Sequence, residues 1–142
     1  IMSGYWQNSG ATSEAINAEG WLHTGDLGTL DVAGNLSITG RLKDMYICGG
    51  FNCYPAEIEA IIQQHPDVLE VAVVGVPEPR MGEVGCAFVK LKSGKILVDK
   101  DFIAWCRTHM ANYKAPRHVR FVESFPMNAS NKILKHELVD LF

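Results

Sequence analysis

The sequence predicts an α+β fold: a small two-layer domain of order β-α-β-β-α-β over residues 42 to 142, preceded over residues 1 to 41 by a β-hairpin tail of a larger N-terminal domain. Three observations carry that prediction. Leu36-Ser37-Ile38-Thr39 alternates apolar and polar with period two, as a half-buried strand does. Two segments repeat apolar residues at helical spacing, Ile58, Ile61 and Ile62 in one and Phe102, Ile103, Cys106 and Met110 in the other. Between them Val71-Ala72-Val73-Val74-Gly75-Val76 is almost continuously apolar, the pattern of a strand buried on both faces and hence expected at the centre of the sheet.

Taken in order, residues 12–17 read as a short helix with Thr12 as its cap, ended by Glu19-Gly20. Leu27–Leu30 and Leu36–Thr39 flank Asp31-Val32-Ala33-Gly34-Asn35, a hairpin whose Gly34-Asn35 step is expected to supply the positive backbone dihedrals. Beyond Gly40-Arg41 the pattern changes. Strands are expected at 45–48, 71–76, 85–91 and 119–122, helices at 55–64 and 101–110, and a last short helical pattern at 135–141. Pro55 suits the first helical position, Glu57 and Glu59 favour the positive end of that helix, and His65-Pro66 stops it. The polar step Arg41-Leu42-Lys43-Asp44 between two glycine-containing stretches reads as a linker.

At 142 residues, 47% hydrophobic and 20% charged, the chain can bury a core, and its net charge of −3 offers no general attraction to nucleic acid or to an anionic membrane. No apolar run approaches the ~20 residues needed to cross a bilayer. Residue 1 is isoleucine and the opening segment is not a signal peptide, so the chain reads as a fragment. Cys48, Cys53, Cys86 and Cys106 form no C-x-x-C pair and read as reduced thiols of a cytoplasmic protein. The five histidines are dispersed, and no metal ligand is assigned.

Four places could carry chemistry. In Thr24-Gly25-Asp26 a carboxylate just beyond a glycine can accept hydrogen bonds from a vicinal diol, as ribose-binding carboxylates do, or can cap backbone amides of its own turn. Lys43 is a charged linker residue. Gly49-Gly50 precedes a helix start and so has the makings of an anion cradle, but no phosphate-loop pattern surrounds it. Pro126-Met127-Asn128-Ala129-Ser130-Asn131-Lys132 is polar and turn-rich. It is either a plain surface loop or the support of an ammonium that can neutralise charge developing at a phosphate.

Read together, Trp21-Leu22-His23-Thr24-Gly25-Asp26, Gly40-Arg41-Leu42-Lys43-Asp44, Gly49-Gly50-Phe51-Asn52-Cys53-Tyr54-Pro55-Ala56-Glu57-Ile58-Glu59 and Asn128-Ala129-Ser130-Asn131-Lys132-Ile133-Leu134-Lys135 closely resemble the carboxyl-terminal end of the adenylate-forming (AMP-binding) enzymes, specifically the acyl-CoA synthetases. The resemblance covers essentially the whole chain. It implies that residues 1–41 are the last segment of the large adenylation domain and residues 42–142 the small C-terminal lid domain. It implies further that Asp26 holds the ribose hydroxyls of ATP with help from Arg41, that Lys43 is the hinge about which the small domain swings between half-reactions, that Gly49 and Gly50 line the tunnel for the pantetheine arm of CoA, and that Lys132 is the adenylation lysine, with Lys135 a decoy. The chain departs from the family pattern at Asn131, where glycine is usual, although asparagine tolerates the left-handed backbone better than most residues.

The implied reaction joins a carboxylic acid, expected to be fatty or sterol-derived, to CoA through an acyl-adenylate, with ATP and magnesium engaged chiefly by the large domain. The isolated chain is expected to be inactive. Acetylation of Lys132 by an acetyltransferase would remove the charge that the first step needs. Two other readings fit the same residues: a free-standing binding or regulatory module, and an adenylation domain that delivers its acyl group to a carrier protein or to oxidative chemistry.

Overall fold

The computed structural model describes residues 1–142, which form two compact units, Ile1–Lys43 and Asp44–Phe142. In the first unit, α1 (Ser9–Ala15) is capped by Asn8, whose side chain accepts from the Ala11 amide. The helix thus starts earlier than the 12–17 expected, and Thr12 serves it differently: its hydroxyl donates to the Asn8 carbonyl and accepts from the Tyr5 amide. β1 (Asp26–Leu30) and β2 (Leu36–Arg41) pair antiparallel. Their loop is closed by a side chain. The Asp31 carboxylate accepts from the amides of Ala33 and Asn35 and from the Asn35 side chain, and these bonds hold its pKa below the usual carboxylate value. Only Gly34 has a positive φ, +84°, so the Asn35 backbone is ordinary and its side chain does the work expected of its dihedrals.

The second unit is a five-stranded mixed sheet with helices packed on it. β3 (Tyr46–Cys48) and β4 (Phe51–Cys53) form a two-residue hairpin that the sequence pattern did not reveal, since 51–53 is too short for periodicity to register. α2 (Pro55–Ile62) follows, with proline in its first turn and Ile58 and Ile62 buried; each such side chain contributes about 1.5–3 kcal/mol of burial. β5 (Val68–Glu78) and β6 (Gly82–Leu91) form the long antiparallel ladder, α3 (Asp99–His109) buries Phe102 and Cys106, β7 (His118–Phe121) pairs parallel with β6, and α4 (Lys135–Asp140) buries Leu138.

The valine run is buried as expected, but β5 is not the central strand. β6 is: it has β5 along one side and β3 and β7 on the other. β5 lies at the edge, and its outward backbone groups are met by side chains of α2 and of its C-cap Gln63 instead of another strand. The Val73 amide donates to Glu59 Oε1 at 2.7 Å, and Gln63 Nε2 donates to the Leu69 carbonyl at 2.9 Å. An edge closed in this way reads in sequence like an interior strand.

Tyr46 fixes β3 to the ladder. Gly75 and Gly85 are directly opposed in β5 and β6. A Cβ built on Gly75 would lie 2.4 Å from Tyr46 Cβ, and one on Gly85 would lie 2.5 Å from the Tyr46 hydroxyl oxygen. The two glycines therefore form the trough in which the ring lies. Its hydroxyl has no hydrogen-bond partner, and burial beside the Cys53 thiol pushes the phenol far above its ordinary value. All four cysteines are buried free thiols, with Cys86 raised to about 11 and Cys106 to about 12 by burial.

Gly75→Ala is expected to cost about 2 kcal/mol of stability in chemical denaturation, because its new methyl meets the Tyr46 Cβ, and Gly85→Ala less, because the facing atom is the far end of the ring. Tyr46→Phe, which removes an unsatisfied buried hydroxyl, should leave stability unchanged or raise it by up to about 1 kcal/mol. A second dependence follows from His65, buried against Phe102 and Trp105 with Nδ1 accepting from the Asp67 amide. Burial lowers its pKa from 6.5. The unfolded chain then binds the proton more readily, so this contribution to stability is present above pH 6.5 and is lost as pH falls toward the lower folded value. Urea midpoints measured across that window should fall in the wild type and flatten in His65→Phe.

Candidate functional site

The hairpin of the first unit sets Asp26 and Arg41 opposite one another as cross-strand partners, and Arg41 Nε lies 3.6 Å from Asp26 Oδ1. Arg41 is well exposed and Asp26 about one-third exposed, so the pair faces water and contributes little to stability. The Asp26 carboxylate caps no backbone amide. Its own amide donates to Thr24 Oγ1, and Gly25, at φ +75°, turns its carbonyl to accept from Leu42. The carboxylate oxygens are left facing outward beside a guanidinium, an arrangement able to accept two hydroxyl hydrogen bonds.

Lys43 lies in the short 3-10 turn Leu42–Asp44, exposed, with no hydrogen bond or ion pair. The boundary between the compact units falls immediately after it.

Gly49 and Gly50 are the two turn residues of the β3–β4 hairpin, at φ +58° and +87°, the paired positive angles of a type I′ turn. The Gly49 amide is already taken by the Met81 carbonyl at 2.9 Å, which argues against an anion cradle. A Cβ on Gly49 would collide with Met81 Cε, whereas Gly50 has open space on its side-chain face. Met81 itself is seated by Glu78, whose carboxylate accepts from the amides of Arg80 and Met81. Beside the turn, Phe51 stacks on Tyr113 with centroids 4.6 Å apart, and Lys114 pairs with Glu57 at 2.5 Å, which raises the lysine's pKa.

Lys132 lies at the end of a tight loop whose chains meet as Met127 and Ile133. Asn128 organises it. Its side-chain oxygen accepts from the amides of Ser130 and Lys132, both at 2.9 Å, while its own amide donates to the Lys132 carbonyl. Asn131 adopts φ +56°, so the residue standing in for glycine takes the left-handed conformation. The Lys132 side chain is exposed and makes no hydrogen bond or ion pair, whereas Lys135 Nζ lies 2.6 Å from Glu59 Oε1. The two lysines thus differ in kind: one is a free cation on a clamped loop, the other a tether between helices. Asn128 is the residue that sequence reasoning overlooked; its signal was the asparagine followed two residues later by a serine, the pattern of a side chain folding over its own turn.

No group of three or more His, Cys, Asp or Glu side chains is placed to hold a metal ion, and no helix is long and apolar enough to cross a membrane. The family model described as AMP-binding enzyme C-terminal domain matches residues 57–132, more than half of the chain. The chain belongs to that family. Among characterised proteins it is 54% identical over 141 residues to a 3-[(3aS,4S,7aS)-7a-methyl-1,5-dioxo-octahydro-1H-inden-4-yl]propanoyl:CoA ligase of Mycobacterium tuberculosis, covering 99% of this chain and 28% of the relative. It is 47% identical over 140 residues to a long-chain-fatty-acid–CoA ligase of Salmonella typhimurium, covering 99% and 25%. In three dimensions it superposes on ATP-bound MatB from Rhodopseudomonas palustris with TM-score 0.93 at 36% identity, covering 99% of this chain and 28% of that one. The chain spans roughly a quarter of the length of these relatives. The α+β fold expected from the sequence is the fold of these C-terminal domains.

The Asn128 clamp makes a checkable claim about the loop. Asn128→Ala should leave the fold intact while the amides of Ser130 and Lys132 lose protection in hydrogen exchange by about tenfold, the equivalent of one ordinary hydrogen bond each.

Proposed function

We propose that the chain is the C-terminal part of an ATP-dependent acyl-CoA synthetase, with residues 1–41 closing the large adenylation domain and 42–142 forming its lid. The observation that best supports this reading is Lys132, an unpaired ammonium on a loop held by its own backbone, three residues from a lysine that is engaged elsewhere. In the first half-reaction a carboxylate oxygen attacks the α-phosphorus of ATP, the bond to the bridging oxygen breaks, and pyrophosphate leaves. Lys132 stabilises the negative charge of that transition state, and a preorganised donor in such a place is worth about 3 kcal/mol. Asp26 accepts the ribose hydroxyls, with Arg41 fixing the carboxylate, so that the nucleotide is oriented before the acid attacks. Magnesium enters with ATP on the part of the parent that precedes these residues.

In the second half-reaction the CoA thiol, losing its proton, attacks the acyl carbon, and AMP leaves. Lys43 is the hinge that permits the lid to change partners between the two steps, and its exposed, unpaired side chain suits a residue that must change its dihedrals. Gly49 and Gly50 line the path of the pantetheine arm, where the missing side chain of Gly50 leaves open space. CoA is favoured over a carrier protein because the relatives are named as CoA ligases. The acid is of the fatty or sterol-derived type; the names of the relatives, one for a fused-ring propanoyl group and one for a long-chain fatty acid, support a choice among apolar acids. The parent is cytoplasmic, works in fatty-acid or related carboxylate metabolism, and is open to silencing by an acetyltransferase that neutralises Lys132.

Carboxylate-dependent ATP–pyrophosphate exchange tests this reading. A panel of a long-chain fatty, a medium-chain, a hydroxycinnamic and a fused-ring propanoic acid should give exchange with the full-length parent and none with residues 1–142 alone. Lys132→Ala should lower exchange by about a hundredfold or more while sparing thioester formation from supplied acyl-adenylate. Gly49→Ala should do the reverse, because a methyl there drives Met81 and the turn apart. Equal loss of both steps in Lys132→Ala counts against the assignment, and absence of exchange in the parent counts against the synthetase.

A further inference from the structure

We infer that Glu59 is a positioning residue for the adenylation step: by holding Lys135 at the start of α4 it fixes the place from which Lys132 extends. The inference rests on the role given above to Lys132. Glu59 Oε1 receives two bonds that join three elements, the Val73 amide of β5 at 2.7 Å and Lys135 Nζ of α4 at 2.6 Å, while the residue itself belongs to α2. The first bond satisfies the free edge of the sheet and sets the carboxylate in one orientation. Lys135 therefore docks on an acceptor already in place, and both side chains are only about a quarter exposed or less. Such a pair differs from an exposed bridge, which two flexible chains must order and water screens.

The consequence passes along three residues. α4 has six residues and no side-chain cap, too short to hold itself together in isolation, so tertiary anchors must hold it. Leu138 anchors its middle, and Lys135 anchors its first residue. From Lys135 back to Lys132 the backbone has little slack: Ile133 packs on the core and bridges Met127, and the Leu134 amide donates to Pro126. Asn128 shapes the loop within itself, Ile133 and Leu138 hold the departing segment to the core, and the ion pair ties it directly to α2 beside the sheet edge. A displacement of the order of 1 Å at a catalytic group can cost ~10²-fold in rate, so a partial loosening should be visible in the step that uses Lys132.

The test is made in the full-length parent with the acid that gives the fastest exchange in the panel above. Glu59→Gln keeps an oxygen for the Val73 amide and removes only the charge; Lys135→Met removes the other partner at a surface that tolerates it. Each should lower the kcat of ATP–pyrophosphate exchange by about tenfold, with thioester formation from supplied acyl-adenylate unchanged. The double variant should be no worse than the poorer single, since Glu59→Gln weakens and Lys135→Met removes the same contact, and Lys135→Arg should restore exchange. A residue that merely stabilises the lid would slow both half-reactions together. The inference is overturned by wild-type exchange in both single variants, by equal loss in both half-reactions, or by losses that multiply in the double variant. If Lys132→Ala abolishes exchange while these variants are normal, only this inference falls; if Lys132→Ala leaves exchange intact, the adenylation reading falls and this falls with it.

Discussion

The Asp44–Phe142 unit depends on one antiparallel ladder, Val68–Leu91, and on the pair of glycines set into it. β5 and β6 supply most of the buried valines, and β7 and β3 take their positions from β6. The Gly75–Gly85 trough then admits the Tyr46 ring, which seats β3 across the ladder. Because β3 leads directly into the Gly49-Gly50 turn, the placement of that turn traces to two missing side chains on strands far along the sequence. The core residues and the turn belong to one packing problem.

The edge of the sheet shows the same economy of parts. Glu59 and Gln63 face a strand edge from a helix, and in meeting its backbone groups they also hold α2 in register with β5. A bare edge of this apolar composition would invite another strand. Here it is closed by hydrogen-bonding side chains, and Lys135 adds a further contact from α4, so edge protection and loop placement share the carboxylate of Glu59.

α2 and α3 were legible because their helical periodicity runs over eight or more residues, and β5 because its valine run is almost unbroken. β4 was not, since three residues carry no period. The centrality expected of β5 failed for a physical reason: apolarity on both faces reports burial, and helices bury an edge as well as strands do. The glycines at 49 and 50 were visible as glycines, but their turn type needed the register of β3 on β4. Asn131 could be judged from its backbone tolerance alone, and its φ of +56° agrees. Lys132 and Lys135 could be ranked only by family pattern until Glu59, 76 residues from Lys135 in sequence, came into view. Tyr46, Asn128 and Glu59 act through atoms that no local pattern joins.

The four thiols have a consequence beyond packing. Every cysteine of the chain is enclosed, and burial holds Cys53, Cys86 and Cys106 toward the protonated form. An acyl-adenylate is a strong acylating agent that does not distinguish one thiolate from another by name, only by reach and ionisation. On the adenylation reading proposed above, a lid with a reactive sulfur on its surface would compete with the CoA thiol and would acylate itself. In this chain, sulfur is used as filler for the core, and the surface presents no thiol of its own.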